Sequence, residues 1–217
     1  MKWNTRRNQV IKLKIKEAHR QFNINSDLLL ITGDGWTARD DIEQFSKLTA
    51  DYDIMAIGRS IALHNGHPID HWANVDADCS VNWAENLPKT ARNGEMPIRH
   101  TLGDCKGFDI DWDIDGEIPW DVSEIMWHGS TALFCVLAAF PMGYKKIVLA
   151  GVPLDSKGHW YWDANTQPTY PDPPWSYQTY QAWFELAETP EAKQIRSMSG
   201  YTKTLLGKPT KQWLLKA

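Results

Sequence analysis

Apolar residues come in short unbroken runs that end in glycine-rich or acidic tips, and this rhythm organises most of the chain. Leu28-Leu29-Leu30-Ile31 shows no polar alternation, as expected of a strand covered on both faces, and runs into Thr32-Gly33-Asp34-Gly35. Thr37 and Asp40 then occupy N-cap and first-turn positions of a predicted helix reaching Leu48. Residues 52–57 predict a second buried strand with the tip Gly58-Arg59-Ser60, and 69–75 a third with the tip Asp76-Ala77-Asp78. Residues 147–150 and 194–198 repeat the pattern around a helix-length apolar run that follows Gly129-Ser130-Thr131. Strand, polar tip and helix in succession predict an α/β fold: a mostly parallel sheet with helices on both faces and its tips along one edge. Ahead of this, Val10, Ile11, Leu13, Ile15 and Ala18, with lysines between them, predict an amphipathic surface helix ending near Phe22.

Residues 108–122 alternate with period two around Asp115-Gly116, which predicts an inserted β-hairpin. A three-residue loop gives the better register, pairing Ile114 with Ile118, Trp112 with Trp120 and Ile110 with Val122, and leaves Asp109, Asp111 and Asp113 on the other face. The same residues imitate a calcium loop through Asp111, Asp113, Asp115 and Gly116. The imitation fails at the twelfth position, where Val122 replaces the bidentate Glu. An acidic hairpin acting as a lid is the better reading.

Composition narrows the class. The 217 residues carry a formal net charge of −4, which argues against broad nucleic-acid binding; the basic clusters in 2–20 and 193–216 read as solvated faces. A chain of this length buries roughly 70% of its unfolded surface and needs no disulfide staples. Cys79, Cys105 and Cys135 are odd in number and lack CxxC spacing, and Cys135 reads as a small core residue, which fits a reducing compartment. No apolar segment of signal length precedes Asp27 and no run approaches the ~20 residues of a membrane span, so a soluble cytoplasmic protein is expected. Without an internal repeat or linker, residues 1–217 read as one domain. Twelve tryptophans, concentrated at 112, 120, 127, 160, 162, 175 and 183 among Pro, Asp and Gly, either line loops beside a ligand or pin those loops to the body; the Trp/Pro-rich stretch spans about 156–176.

The tips carry the candidate chemistry. Gly33-Asp34-Gly35 offers backbone N–H groups to an anion, although Asp34, Asp40 and Asp41 set negative charge there, so a cation intervenes or a ribose meets this turn. Asp76 and Asp78, two residues apart, are candidate ligands for one Mg²⁺, which would neutralise a diphosphate leaving group. Gly129-Ser130-Thr131 opens a helix with no acidic neighbour and is the better anion seat. His128 and His159 are the candidate acids or bases, the latter set among Trp160, Tyr161 and Trp162. Asp155 stands behind the Gly151 tip.

Gly-x-Gly after the first strand, the small hydroxyl turn before an Ala-rich helix, Gly-Tyr-Lys-Lys-Ile-Val-Leu-Ala-Gly-Val at 143–152 with Asp155 following, and Ile-Arg-Ser-Met-Ser at 195–199 carry a resemblance. The chain resembles the bacterial CMP-sialic-acid-dependent sialyltransferases and, equally, the related archaeal hydroxymethylpterin diphosphokinase-like proteins. The likeness covers most of 27–207 and is most specific over 129–155. It implies a Rossmann-like domain with a nucleotide at the strand tips, near Gly33, Asp34 and Gly35, near Gly58, Arg59 and Ser60, near Ser130 and Thr131, and near Ser197 and Ser199. The diphosphokinase branch places acidic metal ligands at Asp76 and Asp78. This chain departs from the sialyltransferases with Gly33-Asp34-Gly35-Trp36-Thr37 in place of Gly-Asn-Gly-Pro-Ser and with Gly58-Arg59 in place of an Asn. Their base histidine corresponds to the segment 168–180, which holds no histidine here, so His128 or His159 would substitute.

The leading expectation is a nucleotide-binding transferase, glycosyltransferase-like, using a nucleotide-activated sugar. The alternatives are a Mg-dependent pyrophosphokinase and a nucleotide-binding protein without catalysis. The expected partner is a small-molecule nucleotide, with no nucleic acid and no membrane span; a homo-oligomer stays open.

Overall fold

A computed structural model describes residues 12–75, 85–102, 106–115, 131–155, 157–161 and 177–215. Among these residues eight strands form one sheet: β1 (Lys12–Ala18), β2 (Leu28–Thr32), β3 (Asp53–Ile57), β4 (His71–Ala73), β5 (Ile98–Leu102), β6 (Ile110–Asp115), β7 (Lys146–Ala150) and β8 (Ile195–Ser197). Their order is β1-β6-β5-β4-β3-β2-β7-β8, with β2 to β8 mutually parallel and only β1 antiparallel, at one edge. The fold is the expected α/β type, a mostly parallel sheet flanked by helices.

The unbroken apolar runs are explained by burial on both faces. In β2, Leu29 and Ile31 pack with Phe134, Ala138 and Trp183 of α2 (Thr131–Met142) and α3 (Tyr177–Ala187). Leu28 and Leu30 point the other way, to Phe45 of α1 (Ala38–Ser46), Val148, Met198 and Trp213 of α4 (Lys211–Leu215). Each fully buried Leu or Ile here is worth roughly 1.5–3 kcal/mol. Helix α2 is apolar nearly all round because it lies across the middle of the sheet, with Cys135 fully buried as expected. Among the described residues no helix is long and apolar enough to cross a membrane.

Two expectations change. The opening segment is strand β1, not a helix, because the open edge of β6 supplies hydrogen-bond partners that a lone surface helix lacks. Leucine and isoleucine two apart between lysines satisfy either period, and the ladder decides; the exposed lysines then blunt this edge against further pairing. Strand β6 is the first arm of the expected hairpin, yet its two edges are taken by β1 and β5 at Ile110 and Trp112. Those residues therefore pair inside the main sheet, and Ile118, Trp120 and Val122 lie outside the described residues. Strand β5 was not foreseen, since Ile-Arg-His-Thr-Leu lacks an apolar run.

Its His100 belongs to a buried hydrogen-bond chain on the α2 face. The Trp112 indole can only donate, so His100 Nδ1 accepts at 3.1 Å and the ring carries its proton on Nε2. That proton goes to His71 Nδ1 at 3.0 Å, His71 Nε2 donates to the Tyr144 hydroxyl at 2.9 Å, and Tyr144 donates to Asp53 Oδ2 at 2.9 Å. Every member is satisfied and both rings are neutral; burial pushes the His71 pKa down to about 4 and that of His100 well below the usual value.

Candidate functional site at the strand tips

Strand order reverses at β2. From its tip the chain passes through α1 to β3 on one side, whereas from β7, its other neighbour, the chain passes through α3 to β8 on the opposite side. In open parallel sheets this switch point is where ligands bind, because the diverging connections leave the carboxyl ends of two strands uncovered. The tips of β2 and β7 are interlocked there. Gly33 N–H donates to Ala150 O and Gly35 N–H to Gly151 O, each at 2.8 Å. A Cβ on Gly33 would lie 2.6 Å from Gly151 O, one on Gly35 2.7 Å from the same oxygen, and one on Gly151 2.6 Å from Ala38 Cβ. Gly151 also has φ +69°, which an L side chain rarely adopts.

The glycines of the first tip are thus spent on close approach of two backbones. The amides of Gly33 and Gly35, expected to cradle an anion, bond to the neighbouring strand tip instead. What this clamp presents is the side chain between them. Backbone N–H groups of Arg59 and Ser60, at the start of the 3₁₀ helix Gly58–His64, bond the Asp34 carboxylate. Its Oδ1 is buried with no hydrogen-bond partner. Burial is the largest influence and raises the Asp34 pKa to about 7, against the opposing pull of the Trp160 indole, those two amides and the Arg59 charge. Gly58 is held in place from below by the Trp72 indole, which donates to its carbonyl at 2.8 Å while stacking on Phe108.

The loop after β7 lies across this tip. His159 pairs with Gly35 as an isolated bridge, and Trp160 N–H donates to Asp34 O at 3.1 Å. His159 Nδ1 also reaches Asp34 O, at 3.2 Å; a carbonyl only accepts, so Nδ1 carries the proton and Nε2 is the basic nitrogen. Burial lowers the His159 pKa first; the bond to Asp34 O opposes this and Arg59 reinforces it. The His159 ring stacks on Tyr161 at 5.1 Å, and the Arg59 guanidinium lies 3.8 Å from the centre of that ring. Arg39 sits 4.7 Å over Trp160, and Lys157 lies 4.5 Å over Trp36. Cations on flat rings around a buried carboxyl suit a ligand that is both anionic and planar.

Of the candidate residues, Gly33, Asp34, Gly35, Gly58, Arg59 and His159 come together at this switch point. Asp155 is beside them, but its carboxylate accepts the Trp36 indole at 3.0 and 3.1 Å and so fastens the loop. Three serines proposed as ligand contacts turn inward. Ser60 bonds Thr32 O at 2.6 Å, in a group with the Thr32 hydroxyl and His64. Ser197 bonds Thr202 at 2.7 Å, and Ser199 bonds Asp41 at 2.5 Å. Thr131 begins α2 and is buried. His128, Gly129, Ser130, Asp76 and Asp78 lie outside the described residues. Among the described residues no group of three or more His, Cys, Asp or Glu is placed to hold a metal ion.

From the sequence, Asp41 is one of three carboxylates that set negative charge at this turn. Its Oδ2 instead accepts from Thr37 Oγ1 at 2.8 Å, Gly151 N at 2.9 Å and Ser199 Oγ, tying the loops after β2, β7 and β8 into one support for the site. The spacing of Thr37 and Asp41, one helical turn, was the available signal. Tyr161, Trp36 and Arg39 were also missed as site residues. Compared with family models, with curated proteins and with solved structures, the chain matches none.

Proposed function

We propose that the protein is a nucleotide-dependent transferase that moves a group, a glycosyl unit, from a nucleotide-activated donor at the switch point of β2 and β7. One observation carries this reading: Arg59 on the Tyr161 ring stands beside the titratable pair Asp34 and His159, at the rim where parallel sheets take ligands. The ring and guanidinium supply stacking and charge for a nucleotide, and the pair supplies a proton acceptor for an attacking hydroxyl. The helix that opens at Thr131 has no acidic residue in its first turn, which supports a phosphate at that end. The likeness to CMP-sialic-acid-dependent enzymes supports the same class.

Thermal unfolding with CMP, UDP, GDP and ATP, each with and without Mg²⁺, tests the proposal. A ligand at one hundred times its Kd stabilises by about 2.7 kcal/mol, which for a chain of this length raises Tm by roughly 5–10 °C. The expected result is protection by CMP or a nucleoside diphosphate without metal. Protection by ATP only with Mg²⁺ would replace the transferase by a pyrophosphokinase using Asp76 and Asp78. No shift with any of the four would overturn the nucleotide reading.

A further inference from the structure

Three buried carboxylates among the described residues are held by donors from distant parts of the chain. Asp41 Oδ2 takes three donors, Asp53 Oδ2 takes Tyr144 and the Asn25 amide, and Asp109 grips Arg99 through both oxygens. Asp34 differs: the Arg59 and Ser60 amides bond the carboxylate, while Oδ1 is buried and unpartnered. The Trp160 indole approaches from the loop above, and its Nε1 is likewise buried without a completed bond. The indole is near enough to favour the ionised carboxylate, yet neither atom completes a hydrogen bond, so an acceptor and a donor face one place. Leaving such groups unpaired is costly, and one small group that both donates and accepts would relieve both.

We propose that this place seats the acceptor hydroxyl of the transfer reaction, donating to Asp34 Oδ1 and accepting from the Trp160 indole, and that Asp34 is the base that takes its proton. The inference rests on the transferase reading above. As the acceptor oxygen bonds to the anomeric carbon of the donor, the bond from that carbon to the phosphate oxygen breaks. The leaving nucleotide keeps the electron pair, and the hydroxyl proton passes to the Asp34 carboxylate and then to solvent. The interlocked glycines fix the carboxyl on a backbone with no freedom to turn, which is the preorganisation proton transfer requires. A pKa raised to about 7 lets the group load and unload a proton near neutrality. His159, with Nδ1 spent on the Asp34 carbonyl and its ring stacked on Tyr161, is the positioning residue. Among the described residues, Arg59, Arg39, His159, Tyr161, Lys157 and Asp155 are the other charged or titratable groups around the site.

The test is release of free nucleotide from CMP-N-acetylneuraminic acid, UDP-glucose and GDP-mannose, with water as acceptor, followed from pH 5 to 9. The wild-type kcat should rise through an inflection near 7. Asp34→Asn, which keeps a carbonyl oxygen for the Arg59 and Ser60 amides, should lower kcat at least ~100-fold and abolish the inflection. Its thermal shift with the free nucleotide should remain. Asp34→Glu should recover part of the rate. His159→Gln should slow turnover and keep the inflection. Trp160→Phe should move the inflection upward, because the indole N–H favours the ionised carboxylate; this decides the matter even if Asp34→Asn fails to fold. Wild-type turnover with an unchanged rate or inflection in Asp34→Asn, or an unmoved inflection in Trp160→Phe, overturns the role of Asp34 alone. No binding and no turnover by wild type overturns the transferase reading and this inference with it.

Discussion

At the residue scale, the site depends on atoms that are missing. Gly151 and Gly94 both have positive φ, +69° and +86°, but a Cβ at Gly94 meets nothing within 4 Å whereas one at Gly151 runs into Ala38 and Gly33. Gly94→Ala should therefore cost only the backbone term, about 1 kcal/mol, and Gly151→Ala at least ~3 kcal/mol, measured by urea unfolding. Equal losses would show that the β2 and β7 tips do not interlock. Asp41→Ala should cost ~3 kcal/mol or more, since three donors lose one carboxylate oxygen, whereas Asp41→Asn keeps an acceptor and should cost less. This scale was half legible. Strand tips ending in glycine and carboxylate pointed to a candidate site at Gly33-Asp34-Gly35, but not to amides spent on the neighbouring tip. That fact depends on which strand lies beside β2, a long-range property that no local spacing records.

At the element scale, the chain from Trp112 through His100, His71 and Tyr144 to Asp53 fastens β6, β5 and β4 to β3 and to the turn before β7. Tyr144→Phe removes one oxygen that serves two buried partners. It should cost roughly 2–3 kcal/mol in equilibrium unfolding, above the ~1 kcal/mol of an ordinary hydroxyl deletion. A loss near 1 kcal/mol would mean that the chain does not act as a unit. The apolar runs of β2, β3 and β7 could be read directly, because strands buried on both faces need no pattern but hydrophobicity. Strand β5 could not, since its polar His100 and Thr101 are buried by partners far away in sequence. Strand β1 was misread because its residues suit a helix until β6 offers a ladder.

At the scale of the whole molecule, buried titratable groups set how stability varies with pH. His64 and His71, lowered to about 4, and His100, lowered well below the usual value, stay neutral in the folded state while the unfolded chain protonates them below about 6.5. Stability is therefore full above that pH and falls as pH drops from 6.5 toward 4. Asp34 acts in the opposite sense: raised to about 7, it holds a proton in the folded state that the unfolded chain releases above its ordinary value of 3.8. Three protons favouring unfolding against one favouring folding, with the lowered His159 and the raised Asp70 opposing each other, predict a slope near pH 5 of about 2–3 kcal/mol per pH unit. Asp34→Asn should steepen it by ~1.4 kcal/mol per unit. A flat profile from pH 6.5 to 4.5 would mean that the histidines are not held neutral. The central claim, a nucleotide site where strand order reverses, is tested most directly by following the tryptophan indole N–H resonances in an NMR titration with CMP, UDP or GDP. Trp36, 41% exposed, and Trp160 line that rim, whereas Trp72, Trp112 and Trp183 are buried in the core. Saturable shifts of the Trp36 and Trp160 signals, with the three core indoles still, are the predicted result; shifts confined to other tryptophans, or none, would contradict it.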